Sequence, residues 1–317
     1  MVMQKQDILD CHSRIKPFIH RTPVLTSRLI NEKIGAEVYF KCENFQRAGA
    51  YKIRGATNAI LQLSDEQRAK GVVTHSSGNF AQAVALAATN LGISAHIVMP
   101  TSAPKVKKVG VKQYQGFIYE CEPTIDARQS MADKIAQKTG ATFLHPSNDL
   151  SVILGQGTAA LELLEKHPNL DYIFCPVGGG GLIAGSAVVV HYFGTDCEVV
   201  GGEPFEADDA YRSLKSGKIE GNKTVNTIAD GLRTTLGDNN FPIIKEHVSK
   251  IVRVEEDEII SAMHLVWERM KIIIEPSSAV TVAALIRDAT EIPKAYKAKK
   301  VGIIISGGNV DLQNLPF

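Results

Sequence analysis

The sequence predicts a two-lobed α/β fold in which mostly parallel sheets are flanked by helices, and three observations support this prediction. Short apolar runs rich in β-branched residues alternate with longer segments of helical periodicity, which is the pattern of β-α-β units. Residues 303–305 are consecutive isoleucines, as in a strand buried on both faces. The length of 317 residues, at roughly 150 residues per domain, predicts about two domains.

Seven segments have the short length and the flanking Gly, Pro or polar residues of strands. They are residues 37–41, 71–74, 95–99, 116–120, 172–176, 198–202 and 301–306. Apolar residues three and four positions apart predict helices at 80–91, 158–164 and 256–270. The stretch from about 71 to 146 is long enough for a small α/β lobe. We therefore predict a discontinuous large domain, residues 1–70 and 149–317, and a small inserted domain, residues 71–148.

The composition is that of a soluble globular protein, with 44% hydrophobic and 22% charged residues. The 35 basic residues nearly balance the 34 acidic ones, so no strong field attracts nucleic acid or a membrane surface. A small neutral or zwitterionic ligand fits this balance better. The five cysteines form no Cys-x-x-Cys pair, and the first 14 residues are too charged for a signal peptide. We therefore expect a cytoplasmic protein with reduced thiols and no membrane span.

The most specific local motif is the run of four glycines at 178–181, placed between a predicted strand and a predicted helix. Glycines let the backbone turn tightly and point its amides inward, and the start of the next helix adds positive charge. Such a loop binds a phosphate without any lysine or arginine. It matches neither a P-loop nor a clean dinucleotide motif, which disfavours a nucleotide. The alternative interpretation is a flexible turn.

Three further segments place reactive or polar groups at the ends of strands or the starts of helices. Lys52 lies between glycines near a helix start, where desolvation favours Schiff-base chemistry, although most lysines are simply solvated. Residues 75–79 (HSSGN) suit an anion such as a carboxylate, or form a plain helix cap. Ser306 ends the last strand. Together, these features predict pyridoxal 5′-phosphate, a phosphorylated carbonyl cofactor that condenses with amino acids.

At these residues the chain resembles the fold-type-II pyridoxal-phosphate enzymes, within them the serine racemase and serine/threonine dehydratase family, and it is most similar to the racemase branch. The likeness covers most of the chain, from HRTPVLTS at 20–27 through GQGT at 155–158 to SGGNVDL at 306–312. The resemblance implies an enzyme that interconverts L- and D-serine and eliminates serine to pyruvate and ammonia. The alternative is a dehydratase of threonine, serine or threo-3-hydroxyaspartate with little racemase activity.

The resemblance also implies roles for individual residues. Lys52 would bind the cofactor covalently and move the Cα proton on one face of the substrate, and Ser77 would act on the opposite face. The cofactor would be bound by Tyr51, Lys52, Asn79, Gly178, Gly179, Gly180, Gly181, Glu275 and Ser306. The substrate would be bound by Ser76, Ser77, Gly78, Asn79 and Arg128. Glu275 could instead be a surface helix cap, and Arg128 could form a surface salt bridge.

Ser306 would face the pyridine nitrogen of the cofactor with a neutral hydroxyl. A hydroxyl stabilises a protonated ring nitrogen less than an aspartate does. The ring is then a weaker electron sink, so the resemblance implies that racemisation and β-elimination compete.

The family resemblance implies a divalent cation, a nucleotide effector and a homodimer. The cation, Mg²⁺ or else Ca²⁺ or Mn²⁺, would be bound by the carboxylates of Glu203 and Asp209 and the carbonyl of Ala207. An acidic loop of this kind is otherwise simply solvated. ATP would be the effector, at a site only partly matched by Ser27, Gln82, Lys271 and Asn309.

The sequence departs from the family pattern at two places, which bears on substrate preference. Phe80 stands where many relatives have a histidine, and residues 48–51 (AGAY) replace a loop that usually contains hydroxyl groups. Two other functions remain open: β-replacement, as in cysteine synthase, and a non-catalytic binding module in which Lys52 only pairs with a bound anion.

Overall fold

The computed structural model describes residues 3–103 and 105–317 and has the predicted α/β architecture. The strands, in chain order, are β1 Val24–Leu25, β2 Glu37–Cys42, β3 Val72–His75, β4 Ala95–Pro100, β5 Phe117–Cys121, β6 Thr142–Phe143, β7 Tyr172–Pro176, β8 Glu198–Pro204, β9 Val248–Val254 and β10 Lys300–Ile305. All seven predicted strands are therefore confirmed, with ends that differ by at most two residues.

The α-helices, in chain order, are α1 Lys5–Ile15, α2 Arg28–Ile34, α3 Lys52–Leu61, α4 Asp65–Lys70, α5 Asn79–Asn90, α6 Lys105–Gln113, α7 Ile125–Thr139, α8 Leu150–Lys166, α9 Gly181–Phe193, α10 Asp209–Ser216, α11 Phe241–His247, α12 Glu256–Met270, α13 Pro276–Glu291 and α14 Pro293–Tyr296. The prediction at 256–270 matches α12. The segment 158–164 is the second half of the longer helix α8, which begins after Asp149, whose carboxylate caps the amides of Ser151 and Val152. No helix in the described part of the chain is long and apolar enough to cross a membrane.

The larger sheet has the strand order β1-β2-β10-β7-β8-β9, and only the β1–β2 pair is antiparallel. Strand β10 lies inside this sheet and is buried on both faces, as its isoleucines predict. Ile303 and Ile305 pack in one hydrophobic core, and Ile304 packs in the other. This alternation follows from the two-residue period of a strand.

The smaller sheet has the order β5-β4-β3-β6, and all its pairs are parallel. Its strands come only from residues 72–143, between the parts of the chain that build the larger sheet. The domain boundaries near residues 71 and 148 stay a prediction. Because parallel strands share a direction, each sheet collects its loops at one carboxyl edge, where side chains can meet a ligand.

Helices α3, α8 and α9 approach one another closely through glycines. A Cβ on Gly155 would lie 2.6 Å from the carbonyl oxygen of Arg54, and a Cβ on Gly157 would lie 2.5 Å from the carbonyl oxygen of Gly185. Since only glycine fits at such distances, these positions fix the spacing of the three helices. Helix α3 begins at Lys52 and α9 begins at the last glycine of the four-glycine run, so this packing sets their relative position.

A buried ionic cluster anchors the first turn of α3. Arg54 donates to the Glu43 carboxylate at 2.7 Å and to the Glu162 carboxylate at 2.9 Å, and Lys41 donates to Glu162 at 2.6 Å. All four side chains are buried. Because a buried charge is costly without its partner, the cluster holds α3 against β2 and α8 in one arrangement. The position of Lys52, two residues before Arg54, depends on this arrangement.

Three strands, β1, β6 and β9, have no counterpart among the seven predicted segments. Strands β1 and β6 have only two residues each, too few for a periodic pattern. Strand β9 has seven residues and lies at the edge of the larger sheet, where the polar residues Ser249, Lys250 and Arg253 interrupt its apolar pattern. Charged residues are common on edge strands, which face solvent on one side.

Candidate active site

A cavity of about 210 Å³ lies where the carboxyl ends of β3, β7 and β10 meet. These strands belong to both sheets, so the cavity is built by the two parts of the chain together. It is lined by every residue that the sequence analysis assigned to the cofactor and the substrate. These are Tyr51, Lys52, Ser76, Ser77, Gly78, Asn79, Arg128, Gly178, Gly179, Gly180, Gly181, Glu275 and Ser306.

Lys52 is the first residue of α3, and its amine is inside the cavity. The amine donates a hydrogen bond to the carbonyl oxygen of Pro146 at 2.8 Å and lies 5.1 Å from the ring centre of Tyr51 and 5.7 Å from that of Phe80. Burial lowers the pKa of Lys52 to about 7, although the charge of Glu275 opposes this shift. Much of the amine is therefore neutral near pH 7, the form that attacks an aldehyde.

The four glycines form the turn between β7 and the first residue of α9. Gly180 has a φ of +79°, which favours glycine, and a Cβ on Gly178 would lie 2.7 Å from the Cα of Leu232. The backbone amides at the start of the 13-residue helix α9 are free to bind an anion. The amide of Asn240 donates to the carbonyl oxygens of Gly179, at 2.8 Å, and Ser147, at 3.1 Å, and so fixes the turn.

Residues 76–79 connect β3 to α5 and form a second polar wall. The backbone N–H of Gly78 donates to the hydroxyl of Ser76 at 3.3 Å, and helix α5 begins at the next residue. The Asn79 amide donates to both carboxylate oxygens of Glu275, at 2.8 and 3.0 Å, and its oxygen accepts from Asn309 at 3.0 Å. Asn79 is therefore already held in place by two long-range contacts.

Glu275 occupies the N-cap position of α13, but it is buried, only 2% exposed, so it does not lie on the surface. Burial raises the pKa of Glu275 to about 7, and the charge of Lys107 opposes this shift. A carboxyl group of this kind can exist protonated or ionised near neutral pH. It lies beside Asn79, on the cavity wall that also contains Ser306.

Ser306 follows strand β10, and its hydroxyl lies 2.9 Å from that of Ser278. The Ser278 hydroxyl donates to the carbonyl oxygen of Gly307 at 2.8 Å and also accepts the Gly307 amide. Because the Ser278 proton is given to this carbonyl, Ser306 must donate to Ser278 or to a bound group. The cavity thus offers a neutral hydroxyl at this position.

The departures from the family pattern also lie at this cavity. Phe80 is buried in a hydrophobic core, and its ring forms an apolar wall beside the Lys52 amine. Ala48 and Gly49 have φ values of 57° and 69°, so residues 48–51 form a tight turn. The carbonyl oxygen of Ala48 accepts from the Asn309 amide at 2.7 Å. This turn packs directly on the SGGN segment that begins at Ser306.

The lining residues that sequence reasoning missed include three with titratable side chains: Lys107, His145 and Asp230. His145 accepts two backbone N–H groups at its Nδ1, from Ser147 and Asn148, and burial lowers its pKa to about 4, so the ring is neutral. Lys107 forms an ion pair with Asp230. Asp230 precedes Gly231, which also lines the cavity, and an acid beside a glycine is only a weak sequence signal for a site. Lys107 has no such signal, because it lies in an ordinary helical pattern.

The residues assigned to the cation are not at the cavity but at the end of β8. Both carboxylates are buried: Glu203 accepts the backbone N–H groups of Ala210 and Tyr211, and Asp209 accepts that of Leu236 and the side-chain amide of Asn222. Burial, followed by the charge of Asp209, raises the pKa of Glu203, and burial raises that of Asp209 to about 6. A bound cation would stabilise the ionised forms of these two carboxyl groups.

The four residues assigned to a nucleotide are not joined to one another. Asn309 is bonded to Ala48 and Asn79, and Gln82 is buried in helix α5. Ser27 lies just before α2, and Lys271 ends α12 in a left-handed conformation. Within residues 3–103 and 105–317, no hydrogen bond connects these four side chains to each other.

The cavity fits pyridoxal phosphate by its donor set. The glycine turn and the start of α9 would hold the phosphate, Lys52 has a buried amine that could join the aldehyde, and Ser306 has a hydroxyl that could face the ring nitrogen. The Tyr51 side chain adds an aromatic ring beside the amine. No lysine or arginine lies within the glycine turn itself, so its backbone amides would be the groups that bind the phosphate.

Comparisons with known proteins agree with this donor set. A family model described as pyridoxal-phosphate dependent enzyme matches residues 15–307. The chain is 47% identical to a β-hydroxyaspartate dehydratase of Paracoccus denitrificans, covering 98% of each chain. It is 49% identical to a serine racemase of Dictyostelium discoideum, covering 98% of this chain and 96% of that protein. The solved structure of maize serine racemase superposes with a TM-score of 0.96 at 44% identity, covering 99% of this chain and 95% of that one.

Proposed function

Because this chain belongs to the family of pyridoxal-phosphate dependent enzymes, as a fold-type-II member related to serine racemases and threonine deaminases, we propose that it is a serine racemase that also dehydrates serine. It interconverts L- and D-serine, and by β-elimination it converts serine to pyruvate and ammonia. The observation that carries the proposal is the shared cavity of Lys52, with its buried amine, and Ser77, a hydroxyl from a different part of the fold.

Each wall of the cavity has a distinct task in this reaction. Pyridoxal phosphate, when bound, withdraws electrons from the substrate Cα and so acidifies its proton. The glycine turn would bind the phosphate, and the Lys52 amine would take the Cα proton on one side. The Ser77 hydroxyl returns a proton on the other side, which inverts the centre. Residues 76–79 and Arg128 bind the substrate carboxylate.

Ser306 sets the balance between the two outcomes. Its neutral hydroxyl would stabilise positive charge on the ring nitrogen of a bound cofactor less than a carboxylate would, so the negative charge left at Cα would be less delocalised. Loss of the β-hydroxyl then competes with return of the proton. Water leaves from the substrate, and water is taken up again when ammonia is released, which balances serine against pyruvate and ammonia.

The test of this proposal is to supply L-serine and Mg²⁺ to the purified protein loaded with pyridoxal phosphate. D-serine and pyruvate are measured separately, and we expect both. Pyruvate without D-serine would leave only the dehydratase, and a product that appears only when a thiol is added would indicate β-replacement. Threonine and threo-3-hydroxyaspartate, measured in parallel, rank the substrates.

Dehydration of threo-3-hydroxyaspartate is the second candidate function. It is supported by the similarity to the Paracoccus denitrificans dehydratase and by the cationic side chains of Lys107 and Arg128 on the cavity wall. The second carboxylate of that substrate needs a cation that serine does not need. This function shares every other element of the site with the first, so one enzyme can perform both.

We also propose that Glu203, Asp209 and the carbonyl of Ala207 bind Mg²⁺, or else Ca²⁺ or Mn²⁺. Hard oxygen ligands suit these ions, and the paired buried acids support the assignment. Among the described residues, no group of three or more acidic, histidine or cysteine side chains could hold a metal. The site therefore depends on the main-chain carbonyl and on water for its remaining ligands.

Magnesium is expected to raise the midpoint temperature of unfolding by roughly 5 °C at a concentration of about one hundred times its Kd. Asp209→Asn should lose this shift. Asp208→Asn is the matched control, because Asp208 pairs with Arg212 and Arg253 at 2.7 and 2.9 Å and is not assigned to the ion. An equal shift in the Asp209 and Asp208 variants would contradict the assignment.

The remaining parts of the proposal concern assembly, location and regulation. We propose a cytoplasmic homodimer that binds no nucleic acid, with ATP as an effector at Ser27, Gln82, Lys271 and Asn309. The near-zero net charge supports the absence of a nucleic-acid partner. The five free cysteines support a location in a reducing compartment.

Two exposed apolar side chains, Phe45 and Ile273, support an apolar contact between subunits. They lie on neighbouring segments, because the side-chain amide of Asn44 donates a hydrogen bond to the carbonyl oxygen of Ile273.

A further inference from the structure

The ion pair between Lys107 and Asp230 crosses the cavity between parts of the chain 123 residues apart. Lys107 belongs to helix α6, beside the smaller sheet, and Asp230 begins a short 3₁₀ turn, Asp230–Leu232, that packs beside the glycine run. The two partners differ in exposure: the Lys107 side chain is 5% exposed, whereas that of Asp230 is 33% exposed. The cation is therefore a fixed part of the wall, and the anion can move into water.

Lys107 lies directly against the loop assigned to the substrate carboxylate. A Cβ built on Gly78 would be 3.7 Å from the Lys107 amine. That loop already has its own donors for one carboxylate, the backbone amides at the start of α5 and the nearby Arg128, whose buried Nε has no hydrogen-bond partner. Arg128 and Lys107 therefore give the cavity two cationic side chains, whereas serine has only one carboxylate to pair with them.

We propose that Lys107 is the residue that determines specificity for amino acids with a second carboxylate, such as 3-hydroxyaspartate. The inference rests on the proposed function and deepens it. With serine, Asp230 stays paired with Lys107. With a dicarboxylate, the β-carboxylate takes the place of Asp230 on the buried amine, and Asp230 regains its hydration because it is partly exposed. Both substrates lose water in the same way, because the Cα–H bond and the Cβ–O bond break in each.

Exchange of one anion for another costs less than placing a new charge in the cavity. Removing a buried cation's partner is expensive, but replacing it with a second carboxylate keeps the pair neutral. Glu275 also faces Lys107 and Asp230, so any change at Lys107 affects the part of the site common to both substrates. The ratio of the two activities, rather than either activity alone, therefore isolates the role of Lys107.

The test compares kcat/KM for L-threo-3-hydroxyaspartate with kcat/KM for L-serine. Lys107→Met should lower this ratio by about tenfold or more, since a hydrogen bond to a charged group is lost only with the dicarboxylate. Lys107→Arg should retain most of the ratio, and Asp230→Asn should raise it. Lys108→Met is the matched control: Lys108 is the next residue of α6, but it pairs with Glu120 at 2.7 Å outside the cavity, and its loss should leave the ratio unchanged.

A binding measurement separates this inference from the proposed function. Succinate, a dicarboxylate without an amine, should raise the unfolding temperature of the wild-type holoenzyme more than acetate does, and Lys107→Met should abolish the difference. Equal losses for both amino acids, together with an unchanged succinate effect, would overturn the inference. Wild-type protein that turns over neither amino acid would overturn the proposed function, while the succinate measurement would still decide the role of Lys107.

Discussion

Replacing Lys52 with alanine is expected to abolish both racemisation and elimination, with a loss on the order of 10⁴-fold or more, because in the proposed reaction one amine both attaches the cofactor and moves the Cα proton. The wild-type protein should absorb visible light when loaded with pyridoxal phosphate, and borohydride should bleach this absorbance. Mass spectrometry should then find the reduced cofactor on the peptide that contains Lys52. The variant should show neither the attachment nor the turnover.

Lys33→Ala is the control for this experiment, because Lys33 is an exposed lysine on α2, away from the cavity. It should keep the colour and both activities. A cofactor attached to another lysine, or turnover that survives in Lys52→Ala, would disprove the assignment. Protein that binds the cofactor without any covalent attachment would support the binding-module alternative, in which Lys52 only pairs with the ligand.

Replacing Ser77 with alanine is expected to reduce racemisation by roughly 10²- to 10⁴-fold, the range for loss of a general acid or base. If Lys52 takes the Cα proton of L-serine, elimination from L-serine should fall much less. Elimination from D-serine should then fall together with racemisation, because Ser77 would take the Cα proton of D-serine. The measurement is pyruvate formation from each enantiomer, together with the appearance of the opposite enantiomer.

The neighbouring variant Ser76→Ala provides the comparison. Its hydroxyl accepts the Gly78 backbone N–H at 3.3 Å and supports the loop as a whole, so its loss should affect both enantiomers alike. Equal losses of all activities in Ser77→Ala, of the kind expected for Ser76→Ala, would refute a special role for Ser77 on the second face.

Several parts of the site could be predicted from local sequence because the signal and the function lie in the same few residues. The glycine turn combines a strand end, four residues without Cβ atoms and a helix start, and no distant contact is needed to identify it as an anion site. Lys52 and Ser306 were found in the same way, at a helix start and a strand end. The structure brings these segments to one cavity because parallel strands align their carboxyl ends.

Other parts had no local signal. The contacts of Glu275 are one example: it is 196 residues from Asn79, yet the two side chains are hydrogen-bonded, and no residue next to Glu275 in sequence predicts this contact or its burial. Lys107 has the sequence context of an ordinary amphipathic helix, and its burial depends on Asp230 from another part of the chain. Contacts of this kind are set by the packing of the two sheets and not by the residues next to them in sequence.

By itself, the sequence determined the α/β fold, the strands of the sheet interiors and the glycine turn, and it predicted Lys52 as the candidate reactive lysine. Periodic apolar patterns and glycine runs act over a few residues, so they can be recognised without knowing what packs against them. Only the tertiary structure decided which charged groups face one another across the cavity and how far burial changes their pKa values. Those properties depend on desolvation and on long-range pairing, which exist only after the chain has folded.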